Sequence, residues 1–361
     1  MSIEEILNID PYSQGKETKH KLLNKRLQDL TRLHYEACEP YRKMMDAVGV
    51  EVNNLPDYED LPFLPVRLFK ELELRSCTKE DVVKTMTSSG TTGQQVSRIY
   101  LDRDTSALQT KCLTKIVSAF LGTKRIPMLI LDSSDVVKNR AMFSARGAGI
   151  LGFSMFGSKR QYALNGEMDL DIDGMKTFLD EHKGETIFLF GFTFMIWQHF
   201  YKKLLESGYK PNLSSGVLIH GGGWKKLITE QVSPAEFKQC LHEVCGILPE
   251  NIHDYYGMVE QTGTIYMECE CGHLHTSTFS DVLIRRPLDW SLAEQGEEGL
   301  IEVVSSLPQS YPGHVLLTED KGVILGEDDC PCGRKGKYFK ILGRIKNAEI
   351  RGCSDTYATK F

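Results

Sequence analysis

Between residues 125 and 224, short apolar runs alternate with helix-patterned stretches, and this alternation limits the fold more tightly than any other feature of the chain. "RIPMLILD" reads as a strand. "GMKTFLDEHKG" reads as a helix, "ETIFLFGF" as a strand, "TFMIWQHFYKKLLESG" as a helix, and "SGVLIHGGGW" as a strand ending in glycines. Continuous apolar runs suit strands buried on both faces, with helices carrying the chain back across the sheet. The rhythm predicts a layered α/β sheet. Upstream, residues 1–60 read as helical, with Leu22, Leu23, Leu27, Leu30, Leu33 and Ala37 near helical spacing. Pro56, Pro62 and Pro65 then break the pattern. From about Asp281 strands dominate: "DVLIRRP", "GLIEVVSS", "GHVLLTED", "KGVILGEDD" and "KYFKILGR". These predict an antiparallel sheet appended to the first.

Composition narrows the function. The 361 residues suffice for a sizeable core, and the net charge of −6 argues against a general nucleic-acid surface. The N-terminus "MSIEEILNIDPYSQG" has no basic region followed by an apolar one, so no signal peptide is expected. The apolar runs are interrupted or too short for a membrane span. The expected compartment is the cytoplasm. Oligomeric state is not legible.

Chemistry is most concentrated in "TMTSSGTTGQQV", Thr85 to Val96. Ser88, Ser89, Gly90, Thr91, Thr92 and Gly93 offer hydroxyls and closely approachable backbone N–H groups, as a polyphosphate requires. No Gly-Lys-[Ser/Thr] follows, so the pattern is not a P-loop. An ordinary hydroxyl-rich loop is the competing reading.

Ten cysteines are unevenly spread. Cys269 and Cys271 in "MECECGHLH" and Cys330 and Cys332 in "DDCPCGRKG" form two C-x-C pairs. Four thiolates suit a closed tetrahedral zinc site with a structural role, and His273 or His275 is an alternative fourth ligand. Four reduced, metal-free cysteines are the bland alternative. Cys353 stands alone near the C-terminus as a candidate nucleophile. Cys38, Cys77, Cys112, Cys240 and Cys245 read as packing residues. "FGFTFMIWQHF" suits either an acyl pocket wall or plain core, and "ARGAGILGFSMFGSKR" a substrate entrance. His199 reads as an ordinary polar residue and His220 as a pocket candidate.

Ordered motifs then resemble the adenylate-forming superfamily of acyl-CoA synthetases, peptide-synthetase adenylation domains and luciferases. "TSSGTTG" resembles its phosphate loop. "HGGGW", with Gly221 and Gly222, resembles the glycine turn beside the adenine pocket. "YYGMVEQTGT", with Tyr255, Tyr256, Gly257 and Glu260, resembles the Tyr-Gly-x-x-Glu motif. That resemblance implies Tyr256 stacking on adenine and Glu260 helping to hold magnesium. "LLTED" resembles the Thr-Gly-Asp motif, which implies that Asp320 bonds the ribose; Glu319 replaces the glycine. "ILGRIKNAEIRG" resembles the hinge motif, which implies that Arg344 meets ribose or phosphate and that Lys346 is the hinge residue.

The implied fold is α/β: the large N-terminal domain of that superfamily, with layered α/β subdomains and a distorted β-barrel region, lacking the usual small C-terminal domain. Expected divisions are a helical segment at 1–85, a nucleotide- and acyl-binding region at 86–280, a β-rich region with the C-x-C site at 281–345, and a cysteine-bearing tail at 346–361. Few residues follow the hinge. With "LTRLHYEACEPYRKMM" and "LPFLPVRLFKELELRS" upstream, the chain resembles the acyl-protein synthetases (LuxE type) of the bacterial bioluminescence fatty-acid reductase complex. That resemblance implies an ATP- and magnesium-dependent ligase. It would activate a carboxylic, fatty acid, load it on Cys353, and pass it to a reductase-like or acyl-carrier partner. An acyl- or aryl-CoA ligase of the phenylacetate–CoA ligase type, using coenzyme A, is the alternative. A non-catalytic nucleotide- or acyl-binding subunit is the other.

Overall fold

The computed structural model describes residues 3–88, 95–138 and 145–345. Its strands are β1 (Leu64–Pro65), β2 (Lys84–Thr87), β3 (Arg98–Leu101), β4 (Ile126–Ser133), β5 (Gly157–Leu164), β6 (Ile187–Phe192) and β7 (Gly216–Gly221). They continue as β8 (Ile252–Tyr256), β9 (Tyr266–Glu268), β10 (Leu274–His275), β11 (Ser280–Arg285), β12 (Glu298–Ser305), β13 (Val315–Glu327) and β14 (Lys337–Arg344). A small hairpin pairs β2 with β3. The remaining strands form one sheet in the order β11-β12-β13-β14-β10-β9-β8-β7-β6-β4-β5, with β1 added parallel to β13.

The sheet has two halves. From β8 to β5 neighbouring strands run parallel. From β11 to β14 they run antiparallel. In the parallel half the side chains alternate between faces, as pleated backbone demands. Met128, Ile130, Phe188 and Phe190 pack on one face with Cys112 and Ile116 of the helix Arg103–Leu121. Leu129, Leu131, Ile187 and Leu189 pack on the other with the helices Ile172–Glu181 and Pro234–Cys245. Helix starts follow local chemistry: Asp102, Asp171 and Ser233 each accept a backbone N–H from the first turn of their helix.

The helix Lys16–Ala37 covers the antiparallel half, setting Leu23, Leu27 and Leu30 against Leu283, Val304 and Val315. A buried charge hub lies beneath it. Asp281 accepts from Lys19 at 3.2 Å, Lys337 at 2.8 Å and the Tyr58 hydroxyl at 2.7 Å. Burial alone would raise the Asp281 carboxyl, but the two ammonium groups and the hydrogen bonds hold it well below its ordinary value.

Three elements differ from the sequence reading. "GSKRQYAL" is the edge strand β5, and the short polar "IHDYY" is β8. "GHVLLTED" and "KGVILGEDD" fuse into the 13-residue β13, because extra residues between Leu317 and Lys321, opposite β12, let the strand bend without turning.

Candidate active site

The hydroxyl-rich loop springs from the β2–β3 hairpin. The Ser88 N–H donates to the Ser97 carbonyl at 3.3 Å, and the Ser97 N–H donates to Ser88 Oγ at 2.9 Å. These bonds bring the two ends of the loop together. Ser89, Gly90, Thr91, Thr92 and Gly93 lie outside the described residues. Thr262, just past the Tyr-Gly-x-x-Glu segment, sits with its Oγ1 3.9 Å from Met86 Sδ on β2. The base of the loop and that segment are therefore neighbours.

Glycine is required where β7 meets β8. Gly221 lies opposite Tyr255, and a Cβ there would come within 2.5 Å of the Tyr255 ring. Gly222 follows at φ +80°, a backbone state that favours glycine. The turn admits the Tyr255 ring, which also packs 5.2 Å from Phe153. Gly257 is exposed at the end of β8.

Asp320 is where the two halves of the sheet meet chemically. Its Oδ2 accepts from the Tyr256 hydroxyl at 2.7 Å, and its Oδ1 accepts from Arg344 Nε at 3.1 Å. Tyr256 ends β8 in the parallel half, whereas Asp320 and Arg344 are register partners on β13 and β14. The Thr318 hydroxyl accepts the Asp320 N–H at 3.1 Å, a support that sequence reasoning missed. Burial and the adjacent carboxylate hold the Tyr256 phenol well above its usual range, so it stays protonated and donates. Three residues expected at the nucleotide are thus hydrogen-bonded to one another.

Glu260 lies in the turn Val259–Gln261 and is 1% exposed. Its carbonyl accepts from the Tyr311 hydroxyl at 2.9 Å, which fixes the segment against the antiparallel half. His220 is a buried structural group: Thr193 Oγ1 lies 2.9 Å from its Nδ1, and burial, with the Lys238 charge, pulls its pKa down to about 3. It is neutral near pH 7. Phe190 and Phe192 of the aromatic stretch are core residues.

The cysteine pairs meet, with one correction. The sulfurs of Cys269, Cys330 and Cys332 and a ring nitrogen of His275 all lie within 4.8 Å of one another. Cys271 is exposed and is not in this group. The reason is local: the turn after Cys269 points Cys271 to solvent, and the short strand β10 carries His275 inward, fully buried. His273 stays beside the group, with Nδ1 3.3 Å from Cys330 Sγ. Burial alone would raise the Cys332 thiol, but hydrogen bonds from Arg334 and the neighbouring thiols draw it below the ordinary value. Cys353 and Lys346 lie outside the described residues.

The family description "Acyl-protein synthetase, LuxE" matches residues 2–361. The chain belongs to the acyl-protein synthetase family. A long-chain-fatty-acid–luciferin-component ligase of Vibrio harveyi is 24% identical, over 97% of this chain and 91% of its own length. The protein of the same description from Aliivibrio fischeri is 23% identical, over 95% and 90%. Among solved structures, a 2-hydroxyisobutyryl-CoA ligase in complex with 2-HIB-AMP and CoA superposes with TM-score 0.71 at 16% identity, over 94% of this chain and 71% of its own. That likeness shows that the chain shares the fold of this CoA ligase. Among the described residues no helix is long and apolar enough to cross a membrane.

Proposed function

We propose that this acyl-protein synthetase activates a long-chain fatty acid with ATP and then carries the acyl group on Cys353. The observation that supports it most is the Asp320 carboxylate held between Tyr256 and Arg344. On this reading Asp320 would accept from ribose hydroxyls, Tyr256 would face adenine and Arg344 would meet phosphate. In the first step the fatty carboxylate oxygen attacks the α-phosphorus of ATP and pyrophosphate leaves, giving the acyl-adenylate. Charge builds on the phosphate oxygens, so positioned donors and cations lower the barrier. Arg344 and the N–H groups and hydroxyls of the Ser88–Gly93 loop fill that role. Magnesium would neutralise phosphate charge, with Glu260 as the residue assigned to it. In the second step the Cys353 thiolate attacks the acyl carbonyl carbon and AMP leaves. A thioester results, and its good leaving group suits onward transfer to a reductase partner.

The test is fatty-acid-dependent ATP–pyrophosphate exchange paired with covalent labelling by radioactive acid. Asp320→Ala should depress exchange strongly. Cys353→Ser should keep exchange and lose the label that neutral hydroxylamine releases from the unmodified protein. Retained label in Cys353→Ser overturns the acceptor assignment. A coenzyme A thioester as the main product would favour the acyl-CoA ligase reading.

A further inference from the structure

The two halves of the sheet are joined through a very short strand. β10 is only Leu274 and His275, yet it pairs with β9 on one side and β14 on the other. Two residues of ladder make a weak seam by themselves. The Cys/His group lies on that seam. Cys269 follows β9, His275 is on β10, and Cys330 and Cys332 lie in the turn leading into β14.

We propose that Cys269, His275, Cys330 and Cys332 bind one zinc ion that clamps the seam between the parallel and antiparallel halves. The geometry matches the ion. Tetrahedral zinc at about 2.3 Å from sulfur and about 2.0–2.1 Å from imidazole nitrogen places ligand sulfurs about 3.8 Å apart, and sulfur and nitrogen about 3.6 Å apart. Cys269 and Cys330 sulfurs are 3.9 Å apart, and Cys332 Sγ is 3.4 Å from His275 Nε2.

A second observation supports it independently. Each pair is built on the same tight turn. The Gly272 N–H donates to the Cys269 carbonyl at 2.9 Å, and the Gly333 N–H donates to the Cys330 carbonyl at 3.0 Å. Both glycines have left-handed backbones, at φ +78° and +81°. Two matching Cys-x-Cys-Gly turns face each other across the seam. The surroundings fit as well. Tyr338 stacks on His275 with ring centroids 5.6 Å apart, which holds the imidazole plane. Three thiolates and a divalent ion leave one net negative charge. Arg334 is at hand to offset it, its guanidinium lying 4.5 Å over the Phe120 ring and paired with Glu270.

The ion would act mechanically. The seam separates Tyr256 on β8 from Asp320 and Arg344 on β13 and β14, so clamping it holds the nucleotide junction together without touching the reacting atoms. This reading does not depend on the proposed activity, because metal content reports it directly.

The experiment is elemental analysis of the full chain, purified without metal-affinity resin, together with zinc-edge X-ray absorption. About one zinc per chain is expected, in a shell of three sulfurs and one nitrogen. His275→Ala and Cys330→Ser should lose the ion, whereas Cys271→Ser should keep it. Stripping the ion should raise amide exchange at β10 by about tenfold or more, with little change at β6. If Cys330→Ser does not fold, the His275→Ala and Cys271→Ser pair and the absorption spectrum of the unmodified protein still decide. Metal-free or iron-containing protein overturns the proposal. Loss of zinc in Cys271→Ser with retention in His275→Ala, or a four-sulfur shell, overturns the ligand set.

Discussion

Two fully buried strands, one in each half of the sheet, are held by different forces. Every residue of β6 is buried, and the side chains of its "IFLFGF" belong to the two apolar core clusters on either face. Every residue of β11 is also buried, yet "SDVLIR" includes Asp281, paired with Lys19 and Lys337, and Arg285, paired with Glu302 at 2.6 Å. Apolar packing is non-directional and tolerates exchange of shape for shape. A buried ion pair tolerates neither the loss of a partner nor the loss of its charge. The comparison teaches that burial alone does not tell which half will resist a given change. The packing around β6 should answer to volume, that around β11 to charge.

The sharpest break of that contrast is Asp281→Asn. It keeps the shape but leaves the Lys19 and Lys337 charges without their carboxylate, so a loss of about 3–5 kcal/mol is expected in urea unfolding. A loss under about 1 kcal/mol would mean that the hub is relaxed or hydrated and the contrast false.

Acid should act on the same half at the next magnitude. The folded Asp281 pKa is depressed below its unfolded value of about 3.9. Its stabilisation is therefore fully present above that value and fades as pH falls below it towards the folded pKa. A drop of about 2 kcal/mol or more is expected between pH 5 and pH 2, seen first as faster amide exchange in β11 and β14. Loss that begins in β4 and β6 instead would reverse the assignment.

Leu189→Met in the parallel half conserves volume and polarity, so it should cost less than about 1.5 kcal/mol although Leu189 is fully buried. A cost equal to that of Asp281→Asn would show that packing in β6 is as exacting as the charge hub.

The smallest effect concerns the link between the halves. Tyr256→Phe keeps the ring and removes the hydroxyl that Asp320 accepts. One neutral-to-charged hydrogen bond is worth about 1.5–3 kcal/mol when desolvated and less when it faces water. A rise of roughly 3- to 20-fold in the KM for ATP is expected in pyrophosphate exchange, with folding intact. No change would show that the bridge is incidental to nucleotide binding.

The apolar rhythm of β4, β6 and β7 and the helices between them was legible because each signal is local: a run of buried residues, a capping residue, a glycine stop. β5 was not legible, since "GSKRQYAL" is an edge strand whose Lys159 and Arg160 face solvent and hide its pairing. Bends inside a strand were not legible either, because the Thr318–Asp320 bulge against β12 is polar and has the composition of a turn.

At the candidate site, a family resemblance pointed to Tyr256, Asp320 and Arg344, and cysteine spacing to the two C-x-C pairs. The chain determined which side chains exist and in what order. Only the tertiary structure decided which of them meet. Tyr256 and Asp320 are 64 residues apart and meet in space although β14, β10 and β9 lie between their strands in the sheet order. His275 rather than Cys271 joins the thiols because contacts depend on the direction in which a turn or a strand projects its side chains, which spacing does not record.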